Sequence, residues 1–417
     1  MSKVVVVGGG VIGLAAAVFL SEGGADVTVI ERDRFGAATS SGNLAWITPG
    51  VSSSPLAAPG VIKQALKWML KQDSPFWIRP RADLALVQWL WTFRRACSED
   101  NFTRSLRALV ALNSTIFELL EALQSKGVEF EFHRDGLLYP ALSQVSADKD
   151  ARLYQMLSDA GYSGEWELLG ADAIHELEPA LGDAVRGGLY SKTEAHVRPE
   201  SFTRGLAGYL ERQGATLLEE SEVIGLARRR DDWVIRLQES EVLADRVLVA
   251  AGVWSDRILA NVGVRLNLLA GKGYSITYED SPRVIRGPLY LSEAHAGVTP
   301  FDSALRIGGT LELTGIDSVL RKPRLDAIRR AVSLYLGSEG WDRGGVEWAG
   351  LRPVAPDGLP VIGEIPGYEG LYVATGHGMV GMTMSTSTGA ALASVILTER
   401  QNPLLEAFTP RRLLRSR

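Results

Sequence analysis

Val4-Val5-Val6-Val7-Gly8-Gly9-Gly10-Val11-Ile12-Gly13, continued by Leu14-Ala15-Ala16-Ala17-Val18-Phe19-Leu20, decides how this chain begins to fold. The β-branched run reads as a buried strand and the alanine-rich stretch as a helix, with a Gly-x-Gly-x-x-Gly turn between them. A second strand, Val27-Thr28-Val29-Ile30, ends on Glu31, 23 residues after Gly8. This is the order of a dinucleotide-binding βαβ unit, in which an acid closes the second strand about 20 residues on. Gly8 permits the tight turn, Gly10 lets the backbone approach a pyrophosphate, and Gly13 lets helix and strand pack closely. Val11 and Ile12 open the helix, whose unpaired N–H groups face the diphosphate. Glu31, with Arg32 beside it, is placed to meet a ribose, and its charge disfavours a 2′-phosphate.

Residues 4 to 20, after Lys3, also resemble a signal peptide or a membrane span. Three consecutive glycines disfavour a continuous helix there, and the run is shorter than the roughly 20 residues that cross a bilayer.

The 417 residues suffice for two domains with substantial cores. With 46% hydrophobic and 22% charged residues the composition is that of a globular protein. A net charge of −5 gives no electrostatic footprint for nucleic acid. The single cysteine, Cys97, excludes an intramolecular disulfide and a cysteine-based metal cluster, so no metal is expected and a cytoplasmic location fits. Cys97 is the one candidate for a thioether link to a cofactor, but its apolar, tryptophan-rich surroundings suit a packed thiol.

Further along, Leu106, Leu109, Val110, Ile116, Leu119, Leu120 and Leu123 recur at helical spacing until Gly127. Alternation from Val128 to Pro140 around Asp135-Gly136 predicts a hairpin. A helix is expected over Ser201 to Gln213, then strands on either side of a solvated Arg228-Arg229-Arg230-Asp231-Asp232 turn. Arg246 to Gly252 reads as a strand buried in a parallel sheet. Meander-like strands follow over 273–278, 297–301 and 305–309, then a helix from Arg324 to Leu336 and a last βα unit over 346–396. Nucleotide-type elements at both ends and in the middle imply a chain that crosses between two domains more than once.

Gly376-His377-Gly378-Met379-Val380-Gly381 repeats the fingerprint, after a strand-like Leu371-Tyr372-Val373-Ala374 and before a helix from about Thr383 to Thr398. No strand is expected after that helix, so a second dinucleotide site is not. The loop instead aims a helix N-terminus at a group that becomes anionic, as a reduced flavin does at its N1/C2-carbonyl edge.

With these blocks the chain resembles the D-amino-acid oxidase-type flavoproteins, and most closely their bacterial D-amino acid dehydrogenase branch. The resemblance covers nearly the whole chain. It is carried by the first fingerprint, Thr39-Ser40-Ser41-Gly42-Asn43, Thr48-Pro49-Gly50, Ala57-Ala58-Pro59-Gly60, Gly271-Lys272-Gly273-Tyr274-Ser275 and Arg306-Ile307-Gly308-Gly309. The most specific blocks are Gly350-Leu351-Arg352-Pro353, continuing through Gly363, and Thr375-Gly376-His377-Gly378 with Gly381-Met382-Thr383-Met384.

The resemblance implies an α/β fold with α+β elements: a Rossmann-like FAD-binding domain and a discontinuous mixed-sheet substrate domain. Residues 1–85, 195–260 and 345–417 are assigned to the former, and 86–194 and 261–344 to the latter. It further implies non-covalent FAD. Gly8 to Gly13 would hold the pyrophosphate and Glu31 the ribose, with Ser41 and Asn43 on the phosphate–flavin side. Val223, Ala251 and Gly252 would lie by the adenine and phosphates, and Gly376, His377, Gly378, Val380, Gly381, Met382 and Thr383 over the flavin edge. Arg352, whose planar fork suits bidentate capture of a carboxylate, takes the substrate, and either Tyr290 or His295 covers the flavin.

The expected reaction moves a hydride from Cα to flavin N5, and the imino acid hydrolyses to a 2-oxo acid and ammonia. Secondary amines and imino acids such as D-proline, hydroxyproline, sarcosine or glycine are alternative substrates, and a quinone or O2 is the acceptor. The Trp- and Lys/Arg-rich stretch 61–97, with Arg411, Arg412, Arg415 and Arg417, suggests peripheral contact with an anionic membrane, although a lid or subunit interface explains those tryptophans too. Two other classes share the opening fingerprint: flavin monooxygenases, which consume NADPH, and non-catalytic FAD-binding proteins. Oligomeric state is not legible.

Overall fold

The four opening valines are buried on both sides because their strand, Lys3–Val7, runs inside a sheet. A computed structural model describes residues 1–69, 76–79, 83–281, 285–337, 340–341 and 344–414. Lys71, Arg81, Arg415 and Arg417 lie outside the described residues. The sheet has six strands in the order Thr216–Leu218, Asp26–Ile30, Lys3–Val7, Arg246–Val249, Leu371–Thr375 and Val361–Glu364. All neighbours are parallel except the last pair.

Alternation along a strand sends successive side chains to opposite faces. Val4 and Val6 enter a helical layer built from Val11–Glu22, Pro199–Arg212 and Gly381–Thr398. Val5 and Val7 instead meet Leu226, Trp233 and Ile235 of a three-stranded antiparallel meander, Gly225–Arg229, Asp232–Arg236 and Glu241–Ala244. The alanines of the first helix are explained by its neighbour. Helix Gly381–Thr398 approaches so closely that a Cβ on Gly389 would lie 2.8 Å from the Ala16 nitrogen.

The second assembly is a nine-stranded mixed sheet, whose long central strands are Leu269–Glu279 and Ala304–Leu313. Helix Lys322–Leu336 covers one face through Leu325, Ile328, Val332 and Tyr335, an amphipathic stripe against Ile276, Val298 and Ile307. The chain passes between the assemblies repeatedly. Strand Val346–Val354 belongs to the large sheet and leads straight into Val361–Glu364 of the six-stranded one. Leu109, Leu112, Ile116 and Leu120 pack into the helical layer of the six-stranded sheet. The result is the α/β fold with α+β elements expected from the sequence.

Two local expectations fail. The strands flanking Asp135-Gly136 do not pair with each other: Phe132–His133 pairs with Ala195–Val197, and Leu137–Ala141 with Gly187–Ser191. The Gly136 turn hands the chain from one sheet to another, and its N–H donates to the Glu194 carbonyl. The apolar stripe from Leu106 to Leu123 is two helices, Glu99–Asn113 and Ile116–Ser125, broken at Ser114-Thr115. Hydroxyls at such positions compete for backbone groups; that of Ser114 donates to the Ala111 carbonyl.

Candidate functional site

The two assemblies enclose a cavity of about 660 Å³. At one end it is lined by Glu31, Arg32, Val223, Trp254 and Arg257; it then passes Gly8, Gly10, Val11, Ile12, Ala251 and Gly252. At the other end stand Gly376, His377, Gly378, Val380, Gly381, Met382 and Thr383, facing Tyr290, His295 and Arg352 of the large sheet. Asn43 also lines it, whereas Gly13 and Ser41 are not among the lining residues.

The three glycines of the first loop differ in what surrounds them. Gly8 has φ +114°, and a Cβ there would meet the Ala250 carbonyl oxygen at 2.5 Å. A Cβ on Gly13 would sit 2.0 Å from the Gly8 carbonyl oxygen. At Gly10, by contrast, only the Ser40 hydroxyl comes near, at 3.2 Å, so the space a side chain would fill opens on the cavity. That vacancy at the head of a helix whose N-cap residue is a glycine with no side chain of its own suits a diphosphate. The Glu31 carboxylate accepts from the Gly9 and Asp33 N–H groups and is thereby fixed at the tip of its strand.

Around this loop the structure adds residues that the motifs did not single out. Ser40, not Ser41, lines the cavity, and its hydroxyl accepts from Val11 N–H. The Ser41 hydroxyl turns back to the Ala37 and Ala38 carbonyls. The Asn43 amide is spent within its own loop, on the Ser40 carbonyl and Ala45 N–H. The Arg32 guanidinium lies 4.6 Å from the centre of the Trp254 ring.

In the second loop, Gly378 N–H donates to the Pro353 carbonyl, and His377 bridges to Val354. The His377 ring is within hydrogen-bonding distance of Thr388 on the following helix, and burial pushes its pKa down to about 3, so it is neutral. The Thr383 hydroxyl ties that helix to the strand Trp46–Ile47 by donating to the Trp46 carbonyl and accepting from Thr48 N–H. The second glycine motif is thus a clasp joining the last helix to the Arg352 strand. Only short 3-10 turns follow the helix among the described residues, so no second βαβ unit forms.

Arg352 lies across Gly273, where a Cβ would come within 2.1 Å of the guanidinium. Its Nη1 donates to the Thr310 carbonyl, and no carboxylate of the described residues pairs with it. Burial lowers its pKa to about 10, which leaves it charged at neutral pH. The carbonyl is presented by a bulge: Lys272 pairs with Glu312 but Tyr274 with Gly309, leaving Thr310 and Leu311 against Gly273. Thr310 has φ +63°, a strained geometry for a β-branched residue. Bulges re-aim side chains beside functional sites, and this one orients the guanidinium.

Tyr290 and His295 both line the cavity. Burial raises the Tyr290 hydroxyl to about 12, and among the described residues it has no hydrogen-bond partner. Its ring packs edge-on against Trp46 at 5.6 Å. His295, in a left-handed turn with φ +49°, is held neutral by burial, its pKa lowered to about 4, and packs edge-on against Trp68 at 4.6 Å. One cavity residue gave no sequence signal at all. Asp150, on helix Gln144–Asp159, is 7% exposed and accepts a 2.7 Å hydrogen bond from Ser292. Cys97 does not line the cavity; its thiol donates to the Phe93 carbonyl.

The family model for the FAD dependent oxidoreductases (DAO) matches residues 3–395. The chain belongs to this family. It is 33% identical, over 94% of its length and 91% of the relative's, to a D-amino acid dehydrogenase of Cereibacter sphaeroides. Among solved structures it is similar to glycine oxidase from Geobacillus kaustophilus, with a TM-score of 0.78 and 22% identity over 100% of both chains. L-proline dehydrogenase from P. horikoshii gives a TM-score of 0.76 at 19% identity, over 99% of this chain and 97% of that one. At these identities the structural matches show the fold. Membership makes this an FAD-dependent oxidoreductase, and the opening at Gly10 fits that cofactor. No helix among the described residues is long and apolar enough to cross a membrane.

Proposed function

We propose that the protein is a D-amino acid dehydrogenase, forming a 2-oxo acid and ammonia and passing electrons to a quinone-type acceptor. The observation that carries this reading is Arg352: a charged guanidinium without a carboxylate partner, held over Gly273 in the cavity that the two glycine loops share. A buried cation without a counter-ion is costly unless a ligand supplies one, and an amino acid's α-carboxylate does so bidentately. The D configuration and the dehydrogenase activity rest on the named relative.

In this reading Gly8, Gly10 and the first helix hold the diphosphate, and Gly13 shapes their turn. Glu31 holds the ribose, Val223, Ala251 and Gly252 flank the adenine half, and the 376–383 loop and helix border the flavin. Bound FAD supplies the hydride acceptor for the substrate's Cα–H bond. Arg352 orients the substrate, while Tyr290, His295 and Trp46 wall off water. No side-chain base is required, because the lone pair of the neutral amine drives departure of the hydride. Residues 1–85, 195–260 and 345–417 form the FAD-binding domain and the remainder the substrate domain, with two adjustments: strands Phe76–Ile78 and Val346–Val354 go to the large sheet, and helix Ile116–Ser125 goes to the six-stranded one.

For the acceptor, helix Leu84–Ala96 exposes Leu84, Val87 and Trp91 on one stripe beside Arg94 and Arg95. We assign this face to a quinone-bearing anionic membrane surface. Arg412 does not join it, being turned inward onto Asp357 and the Leu359 and Pro360 carbonyls. The test is an anaerobic titration of the FAD-bound protein with D-alanine, L-alanine, D-proline and sarcosine. Bleaching by D-alanine and not by L-alanine is expected; bleaching by sarcosine or D-proline alone would replace the amino acid with a secondary amine.

A further inference from the structure

Asp150 is a carboxylate in the cavity wall that the reaction above does not use. It stands on helix Gln144–Asp159, packed over the end of the large sheet, and reaches Ser292 in the turn between strands Leu289–Leu291 and Ala296–Pro300. That bond engages Oδ2 alone. No cation among the described residues lies within ion-pair distance of Asp150, and Oδ1 has no hydrogen-bond partner among them, although it is not sealed from solvent. The Tyr290 hydroxyl, also unpartnered, is close enough for the Asp150 charge to help raise its pKa, after burial. The rings of Trp46, Trp68 and Tyr290 line the same part of the cavity.

The strand order sets the scale of the backbone separation between the Thr310 anchor of Arg352 and the Ser292 turn that holds Asp150. The guanidinium is bonded to the Thr310 carbonyl on strand Ala304–Leu313, and two strand steps lead from there through Ala296–Pro300 to the Ser292 turn. At the usual inter-strand spacing this is roughly 10 Å. An amino acid's nitrogen lies only about 2.5 Å from its own carboxyl carbon, so with the α-carboxylate on Arg352 the α-amine falls short of Asp150. A side chain of four or more atoms spans the gap.

We propose that Asp150, positioned by Ser292, is a specificity-determining residue that receives a cationic substrate side chain, so that basic D-amino acids of the lysine and arginine type are preferred. The inference rests on the function proposed above. A carboxylate with one free oxygen, set among aromatic faces, matches an ammonium or guanidinium by charge-assisted hydrogen bonding and cation–π attraction. Burial raises the Asp150 pKa to about 6. The preference therefore fades as pH falls through that value; Lys149 lowers and Glu293 raises the Asp150 pKa, and Tyr139, Tyr290 and Tyr335 are the titratable neighbours on which its charge acts.

The experiment compares D-lysine with D-norleucine, its analogue lacking the terminal ammonium, on the FAD-bound enzyme, with D-glutamine as a neutral donor. A second arm measures calorimetric binding of 2-methyl-D-lysine and 2-methyl-D-norleucine, which have no Cα–H to lose. Wild-type enzyme is expected to favour D-lysine over D-norleucine by about 10- to 100-fold in kcat/KM, with a matching ratio of Kd values. Asp150→Asn collapses both ratios and Asp150→Glu restores part of them. Equal treatment of D-lysine and D-norleucine by wild type, in turnover and in binding, overturns the inference while leaving the proposed function intact. D-glutamine as good as D-lysine overturns the charge assignment. Failure to oxidise any D-amino acid sinks the proposed function instead.

Discussion

The loops 8–13 and 376–381 spell the same glycine pattern and do different physical work. In the first, the strand before and the strand after are parallel neighbours, and Glu31 closes the unit. In the second, the preceding strand is followed by a helix alone, and the loop is stapled sideways to Pro353 and Val354. The first loop is tight, with Gly8 and Gly13 hemmed in by backbone oxygens; at Gly378 nothing lies within 4 Å of a would-be Cβ. A glycine fingerprint therefore reports that a helix begins abruptly after a strand. What the turn holds is decided by the element that comes next.

This contrast sets the expected effects of substitution. Arg352→Ala, at the strand to which the second loop is clasped, lowers kcat/KM for the substrate on the order of 10³, the loss of two charge-assisted hydrogen bonds. It also retains flavin and does not lower Tm, because the guanidinium it removes has no carboxylate partner in the free protein. A drop in Tm with unchanged kinetics would make Arg352 structural. Gly13→Ala drives a methyl into the Gly8 carbonyl, costing about 3 kcal/mol of stability in chemical denaturation together with FAD retention. Wild-type stability would show that the turn has slack. Gly378→Ala meets only the left-handed φ of +54°, a cost of about 1 kcal/mol, and keeps its flavin. An effect on FAD as large as that of Gly13→Ala would erase the distinction between the loops.

Local signals in the chain carried the βαβ unit and the failure of the second loop to start another. They carried these because each is specified by residues close together in sequence. Contacts made at long range were not legible. Ser40, and not Ser41, faces the cavity in a loop held from a distant strand by Arg306, which donates to the Ser41 and Asn43 carbonyls. The bulge at Thr310 depends on pairing with a strand some 40 residues earlier. Asp150 lies in a stretch that no motif marks, and gains its meaning from Ser292, 142 residues away. Asp135-Gly136 misled for the same reason: turn chemistry reports a reversal, not which strands pair across it.

The central claim is that both glycine loops and Arg352 converge on one flavin. The most direct measurement is the visible spectrum of the purified protein, before and after anaerobic addition of D-lysine. A flavin band that bleaches on addition is the predicted result; a colourless protein that takes up no FAD would contradict it.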